Sequence, residues 1–341
     1  MLLAVKQRLH AAVLKAWFTD KGWTRLLIPL TLIFKLLAQY RKVRLLAKNR
    51  WEPPVPILVV GNITVGGTGK TPVVASLVKG LQARGYSPGI ISRGFGSSAH
   101  GYPRLVTPLS TPEEVGDEPL MLAKQLRVPV MVDSNRVQAA QALCNQHRCD
   151  LIIADDGLQH YNLKRHVELL VIDGKRMLGN NLCLPAGPLR EPPERLHTVD
   201  VVLINGTPAK APDFNFTEFT LIPESLKPVA TNLSETIMPP EINTTVHAIA
   251  GIGHPDRFFN TLFSLGFKVI AHAFPDHYPF RAKDIYFDDD LPVIMTAKDA
   301  MKCVNFASQK HWYLPVIADI SPTLIDAVVR LTEHSYRVKN G

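Results

Sequence analysis

The sequence predicts an α/β fold built on a largely parallel sheet, and three observations carry the prediction. Short apolar, β-branched runs alternate with helix-forming segments from Ile57 onward. The runs are continuous, without the in-out alternation of a half-exposed strand, as expected of strands covered on both faces. The first of them leads through a glycine-rich loop straight into a helical segment, and 341 residues suffice for two lobes.

Ahead of the first strand lies a basic segment. Residues 1–50 hold eleven Lys and Arg and a single acid, Asp20, for a net charge of +10. The whole chain is +8, so the remaining 291 residues are −2. The basicity therefore belongs to one leucine-rich segment, which argues against a nucleic-acid binder. Its most apolar part, Leu26 to Ala38, is 13 residues long and contains Pro29 and Lys35. A spanning helix needs about 20 apolar residues. No small-residue cleavage site follows, so it does not read as a signal peptide. The prediction is an amphipathic element in the membrane interface, its leucines in the acyl boundary and its cations on anionic head groups. Trp17, Phe18 and Trp23 suit that interface. The alternative is a basic helix docked on the protein's own core. The proline-rich stretch from Trp51 to Pro56 separates the segment from the first strand. The cysteines, Cys144, Cys149, Cys183 and Cys303, form no CxxC pair and suit a reduced cytosolic setting.

Residues 56–80, PILVVGNITVGGTGKTPVVASLVKG, follow the order strand, glycine loop, Lys-Thr, helix. That is the order of a P-loop, in which glycines let backbone N–H groups converge on phosphate oxygens at a helix N-terminus. Lys70 would reach the β- and γ-phosphates and the Thr71 hydroxyl would sit on Mg²⁺. The strict pattern asks for glycine at position 64, where this chain has Thr64; GGTGKT, residues 66–71, is intact. Pro72 is tolerated in a first helical turn.

The remaining elements follow in order. Val73 to Ala83 reads as a helix and Gly89 to Ser92 as a strand, followed by Arg93-Gly94-Phe95-Gly96. Leu120 to Leu126 is helical, Val128 to Asp133 a strand, and Arg136 to His147 a helix. Leu151 to Ala154, Val167 to Asp173 and Asp200 to Asn205 are strands. Residues 207–243 lack periodicity. Strands then follow at Val246 to Ala250, Lys268 to Phe274, Leu291 to Thr296 and Trp312 to Ala318. Helices are expected at Pro255 to Leu265 and Ser321 to Thr332. The expected domains are the basic segment 1–50, a P-loop lobe 51–220, linker strands 221–245 and a smaller α/β lobe 246–341 that contributes to the active site.

Asp155 and Asp156 end an apolar strand, the place from which an open α/β sheet delivers a carboxylate to Mg²⁺. Asp117 and Glu118 read as loop acids, of the kind that accept a substrate hydroxyl proton in a kinase. His277, among turn residues and aromatics, could orient a carboxylate. Arg190 and Glu191 lie in a Pro/Gly-rich loop suited to a phosphate clamp.

VVGNITVGGTGKTP, SRGFG, GDEP, ADDGLQH, LPAGPLREP, AGIGHPDRFF, FPDHYPF and TAKDAMK succeed one another along residues 59–302. In that order they resemble the tetraacyldisaccharide 4'-kinase family, the lipid A 4'-kinases of Gram-negative bacteria. The resemblance covers nearly the whole chain, and the family's loop is similar to this one at Thr64. It implies a two-lobed P-loop NTPase-like fold that uses ATP and Mg²⁺. The implied reaction phosphorylates the 4'-hydroxyl of a tetraacyl disaccharide 1-phosphate to give lipid IVA. It also implies peripheral attachment at the cytoplasmic face of the inner membrane, with no nucleic acid and no obligate protein partner. Residue by residue, Thr64, Val65, Gly66, Gly67, Thr68, Gly69, Lys70 and Thr71 match the nucleotide loop. Asp117 matches the proposed catalytic base and His277 its paired histidine, with Lys70 the catalytic lysine. Thr71, Glu118, Asp155, Asp156 and Glu191 match groups around the metal and phosphates. Arg93, Gln159, His160 and Arg190 match polar positions near phosphate and substrate. The competing reading is a membrane-docked P-loop GTPase or ATPase switch; the nearest guanine-reading candidate, Asn205-Gly-Thr-Pro208, lacks the Lys and Asp, and Thr296-Ala-Lys-Asp299 has that pair after a strand but begins with Thr where Asn is needed.

Overall fold

The structure, a computed structural model, describes residues 12–19, 22–47, 51–97, 101–208, 210–230 and 237–340. The outer parts of the basic segment (1–11, 20–21 and 48–50) and residues 231–236 of the expected linker lie outside the described residues. The chain opens with helix α1 (residues 12–18), a 3-10 segment Gly22–Leu27 and α2 (Ile28–Leu46). Then come β1 (Ile57–Gly61), α3 (Lys70–Gln82), β2 (Pro88–Ser92), β3 (Arg104–Leu105), α4 (Pro112–Val115), α5 (Asp117–Leu126), β4 (Val130–Val132) and α6 (Arg136–Gln146). The strands β5 (Leu151–Asp155), β6 (Val167–Asp173), β7 (Val201–Asn205), β8 (Thr217–Phe219), β9 (Leu221–Pro223) and β10 (Lys227–Pro228) follow. Last are β11 (Thr245–Ala250), α7 (Pro255–Ser264), β12 (Lys268–Ala273), β13 (Val293–Thr296), α8 (Ala297–Cys303), β14 (His311–Leu314), β15 (Val316–Ala318) and α9 (Pro322–Asn340).

These elements form two compact units, residues 1–70, 149–220 and 320–341 in one and 71–148 and 221–319 in the other. In the first, the strands run β5-β1-β6-β7-β8, all parallel. Every residue of β1 and β5 is buried, which is why their sequences are continuously apolar. The C-terminal helix α9 lies on this unit, with the Ser335 hydroxyl donating to the His166 carbonyl at 2.7 Å.

The N-terminal helices dock on the same unit through polar contacts. Trp17 Nε1 donates to the Pro185 carbonyl at 3.2 Å. Thr31 Oγ1 donates to the Cys183 carbonyl and accepts from the Ala186 N–H, each at 3.1 Å. Thr31 is the buried residue of α2. Most of its apolar side chains are open instead: Leu36 is 71% and Leu37 63% exposed, with Leu26 just ahead of the helix at 83%. Among the described residues no helix is long and apolar enough to cross a membrane.

In the second unit β2 and β4 are parallel and β3 joins β4 antiparallel. A separate sheet runs β10-β14-β13-β11-β12, parallel except for β10. Val246, Ala248, Phe258, Leu262, Ile294 and Trp312 build its core.

Three expectations need correction. Asp117 and Glu118 open α5, with Asp117 only 5% exposed, because Pro119 is acceptable in a first helical turn. The run Trp312 to Ala318 breaks at Pro315 into β14 and β15, which pair with different neighbours. The aperiodic stretch after residue 207 contains β8, a strand of the first unit's sheet.

Candidate functional site

In the first unit the glycine loop leaves β1 and runs to Lys70, the first residue of α3. Gly66 has φ +93° and Gly69 φ +96°, a region that L side chains rarely adopt. A Cβ on Gly69 would also stand 2.8 Å from Asn205 Nδ2. Asn205 donates to the Thr68 carbonyl at 3.2 Å, Asn62 to the Gly66 carbonyl at 3.2 Å, and Arg176 to the Gly67 carbonyl. Three strand-end side chains thus hold the loop's carbonyls. The sequence signal was there, since Asn62, Arg176 and Asn205 all stand at or just beyond the C-terminal ends of strands, but residue type alone did not single them out.

The other arm of the loop explains Thr64. Thr64 bridges to Leu189, Val65 N–H donates to the Pro188 carbonyl at 2.9 Å, and Arg190 N–H donates to the Ile63 carbonyl at 2.6 Å. A residue at 64 that can take extended, buried backbone serves this pairing, and the pairing carries Arg190 and Glu191 to the loop. Lys70, the first residue of α3, stands 3.5 Å from Asp156, and Arg190 3.4 Å from the same carboxylate. Arg190 also donates to Gln159 Oε1 at 3.3 Å, and Gln159 Nε2 donates to Glu191 at 2.7 Å. Glu191 is buried against Arg195, whose Nε lies 3.1 Å away. Burial, then the Glu191 charge and hydrogen bond, push the Tyr161 phenol well above its usual range. Asp155 ends β5 at 2% exposure. His160 closes the turn after β5, and its carbonyl accepts from Arg165. A cleft of about 410 Å³ opens between Phe34, Lys35 and Lys42 of α2 and Tyr161, Arg190 and Arg195.

These residues fit a nucleotide phosphate with Mg²⁺. Gly66 and Gly69 adopt the left-handed backbone, the loop opens the N-terminus of a 13-residue helix, and the buried Thr68 hydroxyl has no partner among the described residues. Thr71 follows Lys70 in the helix's first turn. Among the described residues no three His, Cys, Asp or Glu form a metal cage. Mg²⁺ in phosphate-transfer sites uses one or two carboxylates with substrate phosphates and water, so none is required.

The second unit carries a different constellation. Asp117 Oδ2 is 3.2 Å from His277 Nδ1, and its Oδ1 accepts the Glu118 N–H at 3.0 Å. The Phe95 ring lies 5.0 Å from the His277 ring, and His277 itself has φ +60°. Lys298 Nζ is 3.2 Å from Glu118, 3.4 Å from Asp276 and 3.9 Å from Asp117; Lys302 is 3.7 Å from Asp117. Burial acts to raise the Asp117 pKa. The His277 hydrogen bond and the charges of Lys298 and Lys302 outweigh it and hold the carboxyl below its usual value of 3.8. Asp117 is therefore a buried, ionised carboxylate at neutral pH. Arg93 follows β2 with its side chain exposed. Lys298 and Lys302 went unassigned from sequence, although the motif that holds them stood out.

A glycine loop entering a helix, its lysine against a strand-end carboxylate, defines a P-loop nucleotide-binding α/β protein. The family described as tetraacyldisaccharide-1-P 4'-kinase matches residues 23–333. A tetraacyldisaccharide 4'-kinase of Alkalilimnicola ehrlichii is 55% identical over 274 residues, 80% of this chain and 81% of the relative. One from Hahella chejuensis is 43% identical over 339 residues, 97% and 99% of the two chains. The solved LpxK of Aquifex aeolicus in complex with ATP has a TM-score of 0.72 at 26% identity, covering 91% of this chain and 99% of that one. The chain belongs to the tetraacyldisaccharide-1-P 4'-kinase family.

Proposed function

We propose that this protein transfers the γ-phosphoryl group of ATP to the 4'-hydroxyl of a tetraacyldisaccharide 1-phosphate, giving lipid IVA in lipid A biosynthesis. The family match over residues 23–333 carries the reading, because it takes in both the phosphate loop and Asp117 with His277. In the proposed step Asp117 takes the hydroxyl proton. The freed oxygen bonds to the γ-phosphorus as the bond to the β–γ bridging oxygen breaks, and ADP departs. Lys70 and the loop N–H groups hold the phosphates, and Arg190 and Arg93 with Gln159 and His160 line the phosphate and substrate side. Thr71, Asp155 and Asp156 would hold Mg²⁺, with Glu118 and Glu191 completing the acidic surround. When bound, the ion neutralises charge on the phosphates. Positioning and charge stabilisation supply most of the acceleration, since phosphoryl transfer asks little covalent chemistry of the protein.

The acceptor's four acyl chains hold it in a bilayer, so the protein must come to the surface. The exposed leucines and cations of α2 support peripheral docking, which we place at the cytoplasmic face of the inner membrane. A switch protein has no such need for a buried Asp–His pair, and the curated relatives carry the kinase name.

The test is turnover in mixed micelles of the lipid acceptor with ATP. Wild type transfers phosphate, Lys70→Ala does not, and Asp117→Asn loses about 10²- to 10⁴-fold in kcat, the usual contribution of a general base, with ATP affinity nearly unchanged. No transfer by pure wild type would defeat the proposal, and wild-type turnover by Asp117→Asn would remove Asp117 from the role of base.

A further inference from the structure

The TAKDAMK stretch, residues 296–302, has no role in the scheme above, yet it is built into the second unit with unusual thoroughness. Thr296 caps α8, its Oγ1 accepting the Asp299 N–H at 3.1 Å. Asp299 is fully buried. Its Oδ2 accepts from the Thr296 hydroxyl at 2.7 Å and from Gly251 N–H at 2.8 Å, and its Oδ1 meets Lys302 Nζ at 3.0 Å. The cap and this carboxylate pin the short helix to the ends of β13 and β11. Lys298 and Lys302 stand four residues apart and therefore share one helix face. Both side chains are largely buried, and both end beside Asp117.

Lys298 Nζ also lies 3.4 Å from His277 Nε2. An ammonium group has three donors and no acceptor. A contact with it is favourable only if the ring nitrogen it faces is a bare lone pair. The other nitrogen, Nδ1, must then carry the proton, and Nδ1 is the one 3.2 Å from Asp117 Oδ2. A doubly protonated ring would set N–H against N⁺–H with like charges in contact, and the carboxylate on that side, Asp276, stands 3.9 Å from Nε2 but 3.4 Å from the Lys298 ammonium, which takes it up.

We infer that Lys298 is a positioning residue for the phosphoryl transfer: its ammonium group fixes His277 as the neutral ring protonated on Nδ1, with that N–H aimed at Asp117. The inference rests on the reading of Asp117 as proton acceptor and adds how that acceptor is held. Glu118, Asp276 and Asp117 stand 3.2, 3.4 and 3.9 Å from the Lys298 ammonium and hold it in place. With His277 and both lysines gathered on Oδ2, the Oδ1 atom carries, among the described residues, the Glu118 N–H alone. Oδ1 is thus the oxygen left to accept the substrate proton.

The experiment is a long-range ¹H–¹⁵N correlation spectrum of the full-length, histidine-labelled protein in detergent micelles, with His277 assigned by the signals lost in His277→Gln. The expected wild-type pattern is a neutral ring protonated on Nδ1. In Lys298→Met the Nε2-protonated form appears and kcat falls about tenfold to a hundredfold, the scale of a misplaced catalytic group, with KM for ATP unchanged. Lys298→Arg keeps the Nδ1–H form and recovers most of kcat. An Nε2-protonated or doubly protonated His277 in wild type overturns the inference, and that measurement needs no variant to fold. So does Lys298→Met with unchanged tautomer and kcat. Wild-type turnover by Asp117→Asn would defeat the base reading while leaving the tautomer intact, so the two failures are distinct.

Discussion

At the residue scale, the loop depends on backbone that only glycine supplies. Gly69 combines φ +96° with a Cβ position 2.8 Å from Asn205 Nδ2, and Asn205 is the side chain holding the Thr68 carbonyl. Gly69→Ala therefore both strains the backbone and displaces the strut. We expect ATP affinity to fall by about tenfold or more, on the 1–3 kcal/mol scale of local backbone strain, with an unaltered circular dichroism spectrum. Titration calorimetry with ATP checks it, and wild-type affinity would refute it. A second residue-scale case lies in the sheet of the second unit. His247, 5% exposed, pairs with His272 at 2.9 Å and with Asp289 at 3.1 Å. Burial, and then the His247 charge, lower the His272 pKa. A lowered folded-state pKa means that the unfolded chain binds the proton more readily. The stabilisation is then present above the unfolded value of about 6.5 and is lost as pH falls through the lowered value. Melting curves from about pH 7 down to about pH 5 should show a drop in Tm that His272→Gln reduces. An equal drop in both proteins would discard the assignment.

At the scale of elements, β1, β5 and β6 were legible because full burial leaves a continuous apolar run, and β6 follows the predicted bounds residue for residue. The helix α5 was legible only in part. Its first turn reads as a loop from sequence, although Pro119 fits a helix's first turn. The seven-residue α8 was missed, yet its Thr-x-x-Asp start is a capping signal that TAKD displays openly. No local pattern marks β8, whose three residues are a strand only because β7 lies beside them. The helix α2 carries the prediction that belongs to this scale. Its Leu32 and Leu36 are 58% and 71% exposed, so changing both to serine removes little packing. Burying a leucine side chain stabilises by about 1.5–3 kcal/mol, so the pair should cost tenfold or more in binding to neutral lipid vesicles while Tm holds. Co-sedimentation with vesicles measures it; unchanged binding would show that α2 does not enter the lipid.

At the scale of the whole molecule, the expected lobes 51–220 and 246–341 were contiguous, whereas the compact units found interleave along the chain. Parallel strands need long crossovers, so neighbours in sequence readily part in space, and composition shifts along a chain do not report that. Charge is different, because it can be summed from sequence directly. The first 50 residues carry +10 and the other 291 carry −2. Two forces then act on one segment: apolar burial by the leucines of α2, insensitive to salt, and attraction of its cations to anionic lipid, screened beyond about 8 Å at physiological ionic strength. The full chain should bind anionic vesicles more tightly than neutral ones at about 0.05 M salt, and the difference should vanish by about 1 M, where the screening length is about 3 Å. Binding to neutral vesicles should hardly change over that range. Because the body is slightly acidic, the salt-dependent part must come from the N-terminal segment, and Lys35→Gln with Lys42→Gln should shrink it while leaving the neutral-vesicle term in place. A salt dependence that survives on neutral vesicles would assign the attraction to something other than lipid charge.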